Sequence, residues 1–141
     1  MRFWDSSAIV PLLVRQEATD RMHQLLDTDP DQLVWWGTAT ECRSAVRRLL
    51  REQRLTVEQA DGALGLLDLL GRGWSEIAPT EPVRARAAHL LARHSLTAAD
   101  ALQLAAALVW AGPEPVDTRP FVTLDQRLGQ AAAREGLSCL P

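Results

Sequence analysis

The sequence predicts an α/β fold, a three-layer α/β/α domain with a central parallel sheet. Short apolar runs alternate with longer stretches of helical period from one end of the chain to the other, the pattern of strands joined by crossover helices. With 141 residues, 47% hydrophobic and 23% charged, the composition suits one compact domain. No internal repeat, low-complexity tract or linker interrupts residues 1–141, so a single domain is expected.

The elements follow in order. Arg2-Phe3-Trp4 reads as the first strand and Ser7 to Val14 as a helix. Thr19 to Leu26 is a second helix, closed by the turn-rich Asp27 to Asp31. Those alternating aspartates resemble a calcium loop, but Gln32 stands where Gly is required and Thr38 at the twelfth position, which leaves a solvated turn. Leu33-Val34-Trp35-Trp36 is the second strand. Thr38 to Gln53 is strongly periodic, with Cys42, Val46, Leu49 and Gln53 on one face and Arg43, Arg47, Arg51 and Arg54 on another. Thr56 to Leu70 forms the partner of a helical hairpin, with Gln59 placed for a capping box. After Gly71 to Gly73, Trp74 to Ala78 is a short strand, and Thr80 with Pro82 starts a helix to about His94. Thr97 to Ala111 is helical and apolar nearly all round from Ala101, which predicts burial on several sides. A Pro-rich loop, Gly112 to Pro120, leads to the strand Phe121-Val122-Thr123. The helix Asp125 to Glu135, a C-cap at Gly136 and the strand Leu137-Ser138-Cys139 complete the chain. Trp4, Trp35 and Trp36 are expected in the sheet core; Trp74 and Trp110 fit either core or a partner surface.

Absences narrow the chemistry. All 15 basic residues are arginine. Without lysine there is no Walker-type phosphate loop and no Schiff-base mechanism. His89 and His94 are five apart, wrong for two ligands on one helical face, and His23 is remote. Zinc sites and Ser-His-Asp hydrolases therefore lack a donor set. No apolar run reaches the ~20 residues of a membrane helix. Asp5 stands where an export signal would begin its apolar stretch. The expectation is a cytoplasmic protein without a membrane segment, with Cys42 and Cys139 as reduced thiols.

Carboxylates remain. Asp5 ends the first strand, Glu41 and Asp125 follow two others, and Asp100 begins the apolar helix. In an open parallel sheet the carboxyl ends of the strands are where ligands bind. A plainer reading exists: Thr38 with Glu41, and Thr97 with Asp100, both have capping-box spacing, and Asp5 and Asp125 complement helix dipoles. If the four acids converge, the electrostatics demand a cation, because two carboxylates ~4 Å apart repel by about 4 kcal/mol at an effective dielectric of 20. Oxygen-only ligation selects Mg²⁺ or Mn²⁺ over zinc. Such a site points to phosphoryl chemistry.

The segments Met1 to Ala8, Thr40-Glu41, Leu96 to Ala105 and Phe121 to Leu128 resemble, in order, the successive motifs of PIN-domain ribonucleases. The VapC-type toxins of prokaryotic toxin–antitoxin pairs are the closest subgroup, and the resemblance spans nearly the whole chain. It implies a PIN-like α/β/α fold with Asp5, Glu41, Asp100 and Asp125 as the acidic quartet. Asp5, Asp100 and Asp125 would ligate Mg²⁺ directly, and Glu41 directly or through water. Ser6 or Ser7 and Thr123 would be polar supports. The implied activity is endonucleolytic RNA hydrolysis leaving a 5′-phosphate and a 3′-hydroxyl. A small cognate antitoxin would block the pocket, and the toxin would be a homodimer.

The net charge of −3 does not exclude an RNA substrate. Of the 18 acids, setting aside the proposed four leaves 14 against 15 arginines. The row Arg43, Arg47, Arg51 begins beside Glu41 and can track a phosphate backbone, or form a solvated helix face. Two other functions stay open: a catalytically silent PIN-like binding module and a Mg²⁺-dependent phosphatase. A phosphoacceptor receiver domain would need a lysine in its pocket.

Overall fold

The computed structural model describes residues 1–113 and 119–141; within the Gly112 to Pro120 loop read from the sequence, residues 114–118 lie outside the described residues. Among the described residues, five parallel strands form one sheet in the order β3-β2-β1-β4-β5. They are β1 (Arg2–Trp4), β2 (Gln32–Trp35), β3 (Ser75–Ile77), β4 (Phe121–Val122) and β5 (Cys139–Leu140). Among the described residues, seven helices connect and cover them: α1 (Ser6–Leu13), α2 (Thr19–Thr28), α3 (Thr38–Arg51), α4 (Val57–Gly71), α5 (Glu81–Arg93), α6 (Ala98–Ala111) and α7 (Gln126–Arg134).

Successive strand residues face opposite sides of a sheet, and here each side has its own core. Phe3, Leu33, Trp35 and Phe121 pack with α5, α6 and α7. Trp4, Val34 and Val122 pack with α1, α3 and α4. This is the three-layer α/β/α arrangement the sequence predicts. The register pairs Phe3 with Leu33 and Phe121, and Trp4 with Val122. The ends of β1, β2 and β4 therefore open on one edge, with β1 between the other two.

Several boundaries differ from the sequence reading, each for a local reason. Helix α3 stops at Arg51, and Gln53 adopts φ 57°, so Gln53 leaves the buried face that Cys42, Val46 and Leu49 form. Trp36 is not in the sheet core: it lies one residue past β2 and is 58% exposed. Strand β5 begins at Cys139 rather than Leu137. Gly136, at φ 90°, turns the chain so that the Leu137 N–H bonds back to the Ala132 carbonyl at 3.0 Å. The Asp27 to Asp31 turn is partly helical, since α2 runs to Thr28. The capping box of Thr56 and Gln59 forms as predicted. Trp74 and Trp110 are both half-buried against the cores, Trp74 donating from Nε1 to Gln32 Oε1 at 3.0 Å. Cys42 and Cys139 are free thiols. Among the described residues no helix is long and apolar enough to cross a membrane.

Candidate active site

Asp5, Glu41 and Asp125 follow the ends of three adjacent strands, and Asp100 enters from the first turn of α6. Asp5 is 3% exposed. Its backbone N–H extends the ladder to the Val122 carbonyl at 2.9 Å, so its carboxylate is fixed at the centre of the edge. Asp5 also caps α1, accepting from the Ser7 N–H at 3.2 Å. Capping and site membership coexist.

The hydroxyls beside it are ordered by counting protons. Ser7 Oγ donates to Asp5 Oδ2 and accepts from the Leu124 and Asp125 N–H groups at 2.9 and 3.2 Å. Thr123 Oγ1 donates to the same Oδ2 at 3.0 Å and accepts from the Asp125 N–H at 3.1 Å. Ser6 Oγ has one proton, and its short bond, 2.8 Å, goes to Glu41 Oε2 rather than to Asp5 Oδ1 at 3.4 Å. The three hydroxyls singled out as supports thus divide between the two acids: Ser7 and Thr123 hold Asp5, and Ser6 holds Glu41.

The two capping-box candidates separate. Thr97 accepts from the Asp100 N–H at 3.2 Å and donates to Asp100 Oδ2 at 2.8 Å. Thr38 makes no such cap. The cap of α3 is Gly37, and the fully buried Thr38 hydroxyl turns instead to Gln103 Oε1 at 3.4 Å. Glycine is required at 37 because a Cβ there would sit 2.5 Å from Trp35 Nε1. Glu41 is consequently free of capping duty and points at Ser6 and Gln103.

A common pattern emerges in all four acids. Asp5 is tied through Oδ2, Glu41 through Oε2, Asp100 through Oδ2 and Asp125 through Oδ1, the last accepting from the Leu128 N–H at 2.9 Å. Among the described residues, the second oxygen of Glu41, Asp100 and Asp125 has no protein partner, and that of Asp5 has the 3.4 Å contact from Ser6 alone. Burial pushes the Asp5 carboxyl above its usual range, against the hydrogen bonds from Ser7 and Thr123; the charge of Asp100 pushes the same way as burial. Burial likewise raises Glu41, against Gln103 and Ser6, and the charges of Asp5 and Asp100 add to it. Asp5 and Glu41 therefore both feel the charge of Asp100, and Glu41 also that of Asp5. Asp125 is committed by one oxygen to the N-terminus of α7. Among the described residues, no group of three or more His, Cys, Asp or Glu is drawn tightly enough to enclose one ion. The donor set is nonetheless all oxygen. The nearby Cys42 thiol, pushed up to about 12 by burial together with the charges of Glu41 and Asp5, stays protonated and offers no soft ligand.

Two clefts flank this edge and share Leu124. One, of about 460 Å³, is lined by Ser6, Ser7, Glu41, Ser44 and Arg48; the other, of about 690 Å³, by Thr97, Asp100, Asp125, Arg127 and Gln130.

Compared by sequence, the chain matches no protein-family model and no curated protein. Solved structures do resemble it. FitAcB from Neisseria gonorrhoeae is 20% identical with a TM-score of 0.68, over 100% of this chain and 97% of that one. VapC20 from Mycobacterium tuberculosis, described as a sarcin-ricin loop cleaving toxin, is 15% identical with a TM-score of 0.70, over 97% and 96%. VapBC2 from Rickettsia felis, bound to a DNA fragment from its promoter, is 12% identical with a TM-score of 0.65, over 99% and 96%. The chain has the PIN-like fold of these proteins. That is the fold the resemblance implied.

Within the PIN-like frame, two side chains escaped the sequence reading. Gln103 is fully buried in α6 and donates from Nε2 to Glu41 Oε2 at 3.0 Å. Its signal was present: it is a lone polar residue in the apolar stretch from Ala101 to Ala111. Arg48 lies two turns along α3 from Glu41 and lines the same cleft, on the i, i+3, i+7 face that also carries Ser44. The arginines chosen from the sequence face elsewhere. Arg43 pairs with Asp68 on α4, Arg47 and Arg51 are exposed outside the cleft linings, and Arg54 lines a groove between the α3–α4 hairpin and the end of α1.

Proposed function

We propose that this chain is a Mg²⁺-dependent endoribonuclease and the toxin of a toxin–antitoxin pair. The observation that carries the reading is the edge of four carboxylates, each anchored through one oxygen and leaving the other essentially free. Anchored carboxylates with a spare oxygen fit a hard divalent cation, Mg²⁺ or Mn²⁺. Asp5, Asp100 and Asp125, with Glu41, would hold it, and it would supply a Lewis acid for phosphodiester oxygens and lower the pKa of water.

The chain's own groups do the rest. Ser7 and Thr123 fix Asp5; Ser6 and Gln103 fix Glu41 through Oε2 and leave Oε1 to the substrate side. Glu41, half-buried with Oε2 tied and Oε1 free, is placed to accept a proton at Oε1 from the attacking water. Attack on phosphorus displaces the 3′ oxygen, which takes up a proton, giving the 5′-phosphate and 3′-hydroxyl the resemblance implies. Arg48, on the wall of the Glu41 cleft, is placed to orient a phosphate. Structural neighbours described as a toxin and as a toxin–antitoxin complex support a cognate antitoxin as partner. The homodimer is the state the resemblance implies for the toxin itself.

The test is cleavage of end-labelled RNA with Mg²⁺, with and without chelator, beside Asp100→Asn. The expected result is cutting by the wild type with Mg²⁺ alone. Equal cutting in chelator would remove the metal from the mechanism. Intact RNA together with hydrolysis of a small phosphomonoester would move the chain to the phosphatase reading. Co-expression with the product of a short neighbouring gene should yield a complex that no longer cuts.

A further inference from the structure

A second, smaller recess of about 220 Å³ adjoins the Asp100–Asp125 cleft, between the turn after α5 and the outer face of α7. Arg127 and Gln130 line both spaces. Arg127, Gln130 and Arg134 stand at i, i+3 and i+7 on α7, so they share one face, and Arg93 at the end of α5 approaches from the opposite wall. Among the described residues no carboxylate lines this recess. Glu135, at its margin, is occupied by His94 at 2.8 Å and Arg93 at 3.5 Å. Among the described residues neither Arg127 nor Arg134 makes an ion pair or a side-chain hydrogen bond, and both are exposed.

Helix electrostatics explain two of these arginines and not the third. Arg93 and Arg134 lie in the last turns of their helices, where a cation complements the dipole. Arg127 is the second residue of α7, at the end where a cation is disfavoured. The helix dipole therefore does not account for its position. Among the described residues no Trp or Phe lines the recess to stack a base, and the His94 ring is held by Glu135. A fork of guanidinium donors matches a phosphate instead.

We propose that this recess is a phosphate subsite for the single-stranded RNA backbone, one side of a path that crosses the acidic edge and places a flanking phosphate against Arg127 and Arg134. The inference rests on the ribonuclease reading and adds where the strand runs. It places binding on α7, away from Arg43, Arg47 and Arg51 of α3, which the sequence offered as either a phosphate track or a solvated face.

The experiment measures binding of a fluorescent single-stranded RNA by anisotropy over a salt series, with Asp100→Asn in every protein so that the strand stays whole. Arg127→Ala with Arg134→Ala should weaken binding about tenfold at about 150 mM salt and flatten the slope of log Kd against log salt by about 0.7 for each phosphate no longer neutralised. Arg127→Lys with Arg134→Lys should keep the slope, since the charges remain. Arg21→Ala, on the exposed face of α2, controls for a simple change in net charge, and melting curves control for folding. An unchanged affinity and slope in the double Ala variant, or an equal loss in Arg21→Ala, overturns the subsite while leaving the nuclease reading intact. A parent protein that neither binds nor, with Asp100 restored, cuts RNA overturns both.

Discussion

Replacing Gln103 by Glu sets a second carboxylate 3.0 Å from Glu41 Oε2, in the place of the amide that now donates to it. Two unit charges at 3.0 Å repel by about 5.5 kcal/mol at an effective dielectric of 20. The alternative is to keep one proton on the pair. For a Glu of ordinary pKa that costs about 4 kcal/mol at pH 7.5, and a carboxyl–carboxylate hydrogen bond returns about 1–2 of it. The variant takes the cheaper route and should be about 3 kcal/mol less stable than wild type at pH 7.5, a fall in Tm of about 10 °C for a chain of this size. The sign of the pH dependence follows from linkage. The pair's folded pKa lies above its unfolded value, so stability is retained below the unfolded carboxylate range and lost as pH rises through the folded pKa. At pH 4.5 the deficit should shrink to under about 1 kcal/mol. Gln103→Leu separates charge from packing: it strands the buried Thr38 hydroxyl, which costs about 1–3 kcal/mol at both pH values. Urea denaturation in chelator at pH 4.5 and 7.5 measures all three proteins. Equal destabilisation of Gln103→Glu at both pH values, or wild-type stability at pH 7.5, would refute the placement of Gln103 against the Glu41 carboxylate.

Asp5→Asn keeps an N-cap and an oxygen for Ser7 and Thr123 while removing a buried charge, so stability in chelator should stay within about 1 kcal/mol of wild type or rise, with RNA cleavage lost; retained cleavage would make Asp5 a cap only. Burial raises Asp5 and Glu41, so metal-free wild type should lose stability as pH climbs through the carboxylate range. Mg²⁺ should restore part of it, and Asp5→Asn should show a shallower decline in a pH series of melting curves. Asp100→Glu should fold with a Tm within a few degrees of wild type and lose most Mg²⁺-dependent cleavage, because the added methylene misplaces a ligand for an ion that demands near-ideal octahedral geometry; full cleavage would return Asp100 to its capping role with Thr97. Cys42, held at about 12, should resist alkylation in the native protein at pH 8 and react once unfolded, read by mass spectrometry.

How far the sequence went depended on whether a feature is local. Phe3-Trp4 and Leu33-Val34-Trp35 alternate between two cores, and the capping box at Thr56 is complete within four residues, so both were legible. Thr38 and Thr97 show the limit. The same spacing gives a cap at Thr97 and none at Thr38, because a partner 65 residues away, Gln103, takes the Thr38 hydroxyl. Trp36 reads as core by hydrophobicity, but one position past the strand it meets the Trp35 ring edge-on at 6.3 Å and stays 58% exposed. The four acids are legible because they recur at strand and helix ends, and the anchors of Asp100 and Asp125 are local, from Thr97 and the Leu128 N–H; the long-range anchors, Thr123 on Asp5 and Ser6 and Gln103 on Glu41, are brought together only by the fold. Arg48 was overlooked for a related reason. The row from Arg43 to Arg54 is regular in sequence, while the cleft selects the helical face that Glu41 itself occupies.

Strand β1 lies between β2 and β4, and this central place governs when the acidic edge can exist at all. The first neighbour is made soon after β1, but the second comes late: Ser7 meets the Leu124 and Asp125 amides across 117 and 118 residues. During synthesis the N-terminal part can pack α1 against α3 while β1 remains an edge strand, with Asp5 lacking Thr123 and the Val122 carbonyl. Long-range parallel pairing of this kind closes slowly and after local structure has formed. A ribosome-attached chain therefore carries an incomplete acidic edge until β4 and β5 have emerged; under the ribonuclease function proposed above, that order of assembly would keep the chain inert beside the RNA that encodes it.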